Sequence, residues 1–203
     1  MVFCTIDETE MSNDKLTLRK IMRSKLRENF LDNVNLRTNL SMRIWDLLRQ
    51  LSVFKKAEID NSLMLYLDMQ NEIETARFMK LPTIIPFCQD DEIVPFCLFS
   101  LDELSAGYYG ILEPKRELRG EVGRIFPHEL LSVVIVSGLA FDTNGNRLGR
   151  GKGFYDRFIS KLKNTTITIA LCAEFQIIES VPITQSDKPV NIIVTENRVI
   201  YCH

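Results

Sequence analysis

Residues 133–158, VVIVSGLAFDTNGNRLGRGKGFYDRF, decide how this chain is read. Val133-Val134-Ile135-Val136 is short, apolar and β-branched, as a buried strand would be. Phe154, Phe158 and Leu162 follow at helical spacing. Between the two lie Gly138, Gly145, Gly149, Gly151 and Gly153, together with the cations Arg147, Arg150 and Lys152. A strand, a glycine-rich turn and a helix start form a geometry for holding an anion. Consecutive backbone N–H groups point at one spot, and the helix dipole favours negative charge there. The cations add charge-assisted hydrogen bonds, so the natural ligand is a polyphosphate. Gly149-Arg150-Gly151-Lys152-Gly153 is neither G-x-x-x-x-G-K-[ST] nor G-x-G-x-x-G, and it lies late in the chain. The competing reading is a long polar connection whose glycines serve turns and whose cations are solvated.

Other apolar runs surround this one. Asn61–Leu67, Thr83–Phe87, Ile93–Phe99 and Thr166–Cys172 each read as strands, and 190–194 with 199–202 as a closing hairpin. Pro86 suggests an edge position for its strand or an early strand end. Residues 12–51 read as two helices, capped by Ser12, Asn13 or Asp14, with Trp45 in packing. After the strand at 61–67, Asn71 can cap a helix whose early acids, Glu72 and Glu74, would stabilise its N-terminus. Short strands alternating with helices predict a three-layer α/β/α fold with a largely parallel central sheet and an N-terminal helical pair packed on it. Ligands on such sheets bind beyond the carboxyl ends of the strands, where the glycine-rich loop falls. One domain spanning residues 1–203 is expected, with 1–11 as a disordered tail.

A net charge of −2 and a pI of about 5.8 argue against nucleic-acid binding. Five scattered cysteines, without CxxC spacing, argue against zinc and for free thiols in a reducing compartment. The acidic start MVFCTIDETEM is unlike a signal peptide, and no apolar run reaches membrane-spanning length. The expectation is a cytoplasmic monomer that touches neither membrane nor nucleic acid.

The run GLAFDTNGNRLGRGKGFYDRF closely resembles the signature of the 5-formyltetrahydrofolate cyclo-ligase (methenyltetrahydrofolate synthetase) family. Four further stretches carry the same resemblance: Lys15-x-x-x-Arg19, MQNEIET at 69–75, Gly107-x-x-Gly110-Ile111-x-Glu113-Pro114, and Val181-Pro182 with Asp187. The resemblance covers roughly residues 13–196 and is weakest from 77 to 130. Ser137 stands where the family usually has proline, and Phe154 where many relatives have tyrosine. It implies ATP contacts at Lys15, Arg19 and Arg147 through Tyr155 (Leu148, Gly149, Arg150, Gly151, Lys152, Gly153 and Phe154 between them). It implies folate contacts at Leu67, Glu72, Arg150, Gly151, Lys152, Gly153 and Phe154, and a Mg²⁺ site at Asp156 and Asp187. Arg147, Arg150 and Lys152 would neutralise a migrating phosphoryl group, with Arg150 and Lys152 as the catalytic pair.

A four-residue spacing puts Lys15 and Arg19 on one helix face, although a basic run is as often a solvated face. A carboxylate at Glu72 suits the aminopyrimidine edge of a pterin, because it accepts two N–H bonds side by side. The expected reaction is ATP- and Mg²⁺-dependent conversion of 5-formyltetrahydrofolate to 5,10-methenyltetrahydrofolate, releasing ADP and phosphate. Two rivals remain at this stage: a sugar-phosphate isomerase, which would need no ATP, and a carrier that binds both ligands without turnover.

Overall fold

The structure is a computed structural model that describes residues 14–107 and 111–202. Ser12 and Asn13, the 1–11 segment, and Tyr108-Tyr109-Gly110 of the family-like motif lie outside the described residues. Helix α1 (Lys15–Leu26) is capped by Asp14, whose carboxylate accepts the Leu16 N–H at 2.9 Å. Leu18, Met22 and Leu26 form its buried stripe, and a π-helical turn at Arg27–Leu31 buries Phe30. Helix α2 (Val34–Leu48), capped by Asn33, buries Ile44, Trp45 and Leu48. The expected helical pair is in fact a trio, because α3 (Ser52–Ile59) follows. Eight residues without a side-chain cap carry too little periodicity to announce a helix.

Seven strands make the central sheet: β1 (Leu63–Met64), β2 (Thr83–Gln89), β3 (Glu92–Leu98), and after a small ribbon of β4 (Leu104–Ala106) and β5 (Leu112–Pro114), β6 (Val133–Val136). A second ribbon, β7 (Ala140–Phe141) with β8 (Arg147–Leu148), and helix α4 (Phe154–Ile159) lead to β9 (Ile167–Leu171), β10 (Ile192–Val194) and β11 (Val199–Tyr201). The order is β11-β10-β9-β6-β1-β2-β3. The inner five strands run parallel, and β3 and β11 close the two edges antiparallel.

Alternation along the strands sorts the core. Val133 and Ile135, Ile169 and Leu171, Ile192 and Val194 pack under α1–α3, whereas Val134, Val136, Ala170 and Ile193 face Phe141 of β7 and Phe158 of α4. The three expected layers are present, but the second helical layer is mostly loop.

Three local expectations are corrected. Pro86 is not on an edge strand: β2 lies inside the sheet, and Pro86 faces Pro95 of β3. The β1 ladder is too short to reach Pro86, so its missing N–H is never needed there. No helix follows β1; residues 70–79 form turns, one bend and irregular chain, so neither Glu72 nor Glu74 serves a helix dipole. Strand β1 is a two-residue ladder, with Leu65, Tyr66 and Leu67 continuing it as buried extended chain.

The site's position follows from this order. The chain leaves β1 toward β2 on one side and returns at β6 on the other. At such a reversal the connections diverge and leave a crevice above the carboxyl ends of the two strands.

Candidate active site

Above β6, the Asp142 carboxylate shapes the turn into the glycine-rich loop. It is buried and accepts the N–H groups of Asn144, Asn146 and Val181 at 2.9–3.0 Å. The segment between β9 and β10 holds the loop at further points: Val190 N–H donates to the Gly145 carbonyl at 2.9 Å, and Lys188 N–H to Asp156 at 3.2 Å. Gly153, which precedes α4, has φ +68°, a conformation glycine adopts without strain.

The backbone N–H groups of Arg150, Gly151, Lys152 and Gly153 donate to no described residue. Lys152 is exposed at the loop's tip, and its ammonium has no partner among the described residues. A run of backbone donors without partners among the described residues, with such a cation beside it, is suited to an anion.

Helix α1 lies against this loop by its basic face. Arg19 Nε donates to the Gly149 carbonyl at 3.0 Å, Arg23 Nη2 to the Arg150 carbonyl at 3.2 Å, and Lys15 pairs with Asp187. The shared face expected for Lys15 and Arg19 is therefore real. Arg23 extends it by one more four-residue step, a spacing that was visible in the sequence.

Across the crevice, the loop after β1 presents Glu72, only 7% exposed. Its Oε1 accepts Arg150 Nη2 at 2.9 Å and its Oε2 accepts the Met69 N–H at 3.0 Å. Asn71 Oδ1 also takes Arg150 Nη2, at 3.0 Å. Arg37 of α2, absent from every sequence-based expectation, fixes this loop from behind. It donates to the Glu72 carbonyl at 2.7 Å, the Met69 carbonyl at 2.9 Å and the Asp68 carboxylate at 2.5 Å. Asp68 Oδ1 in turn accepts the N–H groups of Thr75 and Ala76. Glu74 accepts the Thr38 hydroxyl, and Trp45 Nε1 donates to the Glu74 carbonyl at 2.7 Å, so both residues tie the loop to α2.

The remaining candidates divide between crevice and core. Tyr155 packs its ring 5.4 Å from the Arg147 guanidinium; burial, with Glu72 close by, pushes its phenol well above the ordinary value and keeps it a donor. The side chain of Leu148 turns into the core, and Leu67 packs with Ile85, Phe87, Phe96 and Leu98 under the β2–β3 hairpin. Phe154 lies beneath the Arg157 guanidinium at 5.2 Å.

Ion pairs join the site's charges. Arg147 Nη2 meets Asp156 Oδ1 at 3.0 Å, Arg150 meets Glu72, and Lys15 meets Asp187. Burial alone would raise the Asp187 carboxyl. Hydrogen bonds from Lys15 and from the Thr184 N–H and hydroxyl outweigh it and hold the group below the usual carboxylate range. Among the described residues, no donor reaches Asp156 Oδ2 or Asp187 Oδ1, so each carboxylate keeps one oxygen for a ligand.

An α/β protein with a glycine- and cation-rich loop at its topological switch point, facing a buried carboxylate, is what fold and site define. The model of the 5-formyltetrahydrofolate cyclo-ligase family matches residues 11–196, and the chain belongs to that family of ligases. It is 28% identical over 214 residues to the probable 5-formyltetrahydrofolate cyclo-ligase of Schizosaccharomyces pombe, covering 94% of this chain and 98% of the relative. The 5-formyltetrahydrofolate cyclo-ligase of Escherichia coli K12 is 34% identical over 98 residues, 48% of this chain and 52% of the relative. The solution structure of Aquifex aeolicus 5,10-methenyltetrahydrofolate synthetase superimposes with a TM-score of 0.76 at 30% identity, covering 92% of each chain.

Proposed function

We propose that the protein converts 5-formyltetrahydrofolate to 5,10-methenyltetrahydrofolate at the expense of ATP, in the crevice between the glycine-rich loop and Glu72. The observation that carries this reading is the run of N–H groups from Arg150 to Gly153 that, with the Lys152 ammonium, find no partner among the described residues, beside an Arg150 side chain paired to the buried Glu72 carboxylate at 2.9 Å. An amide oxygen is a poor leaving group. Transfer of the γ-phosphoryl group to the formyl oxygen releases ADP and makes that oxygen a good one. N10 then attacks the formyl carbon, loses its proton, and phosphate departs. The chain's part is positioning and neutralisation. Lys152 and the loop N–H groups meet the moving phosphoryl, Arg150 joins them when drawn from Glu72, and Glu72 then accepts the N–H edge of the pterin. Lys15 and Arg19 border the nucleotide's side of the loop.

Asp156 and Asp187 each keep a free carboxylate oxygen and fit Mg²⁺, which favours one or two carboxylates with waters and phosphate over a full protein cage. When bound there, Mg²⁺ would neutralise charge on the polyphosphate. We read the protein as cytoplasmic, a compartment suited to the free thiols Cys88, Cys97, Cys172 and Cys202.

Following the absorbance of the methenyl product tests this directly. Turnover should require 5-formyltetrahydrofolate, ATP and Mg²⁺ together, with one ADP per product. Product formed without ATP, or binding of both ligands with no product at all, would sink the reading.

A further inference from the structure

What aims the N–H groups of the glycine-rich loop is a matter of peptide geometry. A trans peptide unit is planar, so its C=O and the N–H of the next residue point in opposite directions and turn together. A carbonyl held from one side therefore fixes the N–H on the other. Three of the four N–H groups from Arg150 to Gly153 are set in this way, each by a different arginine. Arg19 Nε donates to the Gly149 carbonyl at 3.0 Å, which sets the Arg150 N–H. Arg23 Nη2 donates to the Arg150 carbonyl at 3.2 Å, which sets the Gly151 N–H. Arg157 Nη1 donates to the Lys152 carbonyl at 3.0 Å, which sets the Gly153 N–H. Arg19 is already expected at the nucleotide; Arg23 and Arg157 are not.

The loop needs such holds. Gly151 at φ +109° and Gly153 at φ +68° have access to conformations closed to other residues, so their peptide planes turn freely unless something outside the loop stops them. Arg23 stands on α1 between Met22 and Leu26, whose burial keeps its backbone in place. Arg157 is braced at its far end, where Nη2 donates to the Asp91 carbonyl at 2.6 Å at the tip of the β2–β3 hairpin. A Cβ on Gly153 would stand 3.0 Å from Arg157 Nη1, so glycine there also lets the guanidinium close on the loop. Both arginines are exposed, and neither pairs with a carboxylate among the described residues. We propose that Arg23 and Arg157 are positioning residues for polyphosphate binding, which hold the carbonyls of Arg150 and Lys152 and so aim the N–H groups of Gly151 and Gly153 at phosphate oxygens. The inference rests on the reading of this loop as the ATP site. Donors fixed in advance need no reorganisation when charge arrives.

Glycine labelled with nitrogen-15 gives one amide signal for each of the nine glycines, so the two N–H groups can be followed singly by magnetic resonance. In the parent protein, a non-hydrolysable ATP analogue with Mg²⁺ should move the Gly151 and Gly153 amide protons downfield as they bond to phosphate. Arg23→Ala should lose the Gly151 shift and keep that of Gly153; Arg157→Ala should do the reverse. Each variant should bind inorganic tripolyphosphate roughly fivefold more weakly or worse, while adenosine affinity stays within about twofold of the parent. The tripolyphosphate loss should be as large in about 0.5 M salt as at low salt, because salt screens a missing charge but not a missing aim. The inference is overturned if either glycine keeps its shift without its own arginine, if either variant loses both shifts, or if the affinity loss disappears at high salt. A parent protein that binds the analogue with neither glycine signal moving also ends it, and leaves the ATP reading standing. A parent protein that binds no analogue ends the ATP reading itself, and this inference with it.

Discussion

Lys152 and Glu72 show how differently single residues announce themselves. Lys152 stands between two glycines in a run where every neighbour has a chemical reason, and the structure leaves its ammonium without a partner among the described residues. Lys152→Ala should lower kcat about a hundredfold, on the order of 3 kcal/mol of transition-state stabilisation, with Tm unchanged; near-normal turnover at saturating ATP would refute its role. Glu72 could be singled out from the sequence, but its partner could not. Nothing near residue 72 says that Arg150, far along the chain, will be the group that neutralises it. Because Oε1 and Oε2 are both engaged and the side chain is 7% exposed, its charge must be met at all times. Glu72→Gln should raise KM for 5-formyltetrahydrofolate at least tenfold while KM for ATP moves less than threefold. Equal rises in both would mean that Glu72 merely holds Arg150 in place.

Elements were legible where one face had one job. Helix α1 declared both its apolar stripe and its basic stripe, and β6 declared itself by four consecutive β-branched residues. The loop from 68 to 76 did not, because its order comes from Arg37 on another element and from Asp68 bridging its ends. In sequence, NEIET copies a helix start, and only the long-range guanidinium contacts override that local preference. Arg37→Ala should therefore act far above its surface appearance. Removing one side of a pair only 11–12% exposed should cost on the order of 3 kcal/mol, and roughly 10 °C in Tm. It should also raise KM for folate; a shift in Tm below about 2 °C would show the loop to be self-supporting.

The seating of α1 has its own pH dependence. Asp187 is held below its ordinary value in the folded protein, so its tie to Lys15 contributes at pH values above the unfolded carboxylate pKa. That contribution fades as the pH falls through the lower folded one. The difference in Tm between the parent and Lys15→Ala should be constant above about pH 5 and shrink toward zero below about pH 4. A difference that does not shrink at all as the pH falls below about 4 would place the stabilisation elsewhere on α1.

For the whole molecule, the class was legible and the detail of the sheet was not. Parallel β-branched strands separated by polar connections pointed to α/β layering, and the carboxyl-edge rule placed the loop correctly. The antiparallel hairpin of β2 and β3, with its facing prolines, was misjudged, because strand order depends on contacts that no local pattern encodes. That order also joins the two halves of the crevice. Since Arg150 must leave Glu72 before either serves a ligand, nucleotide and folate should each bind more tightly when the other is present. The Kd of a folate analogue should fall roughly fivefold or more with a non-hydrolysable nucleotide, and the reverse coupling should have equal size. Glu72→Gln should bring the factor close to one; independent binding in the parent protein would rule the coupling out.

The bonds from Val181, Lys188 and Val190 to the loop have a consequence in time. A ribosome makes Asp142, Gly145 and Asp156 first and their three backbone partners afterwards, adding roughly 5–20 residues per second. For some seconds the glycine-rich loop exists with its donors unfixed and β6 still lacking β9 along one edge. A nascent chain of this protein is inert during that interval, and it is most exposed to wrong partners at the strand that later becomes its centre.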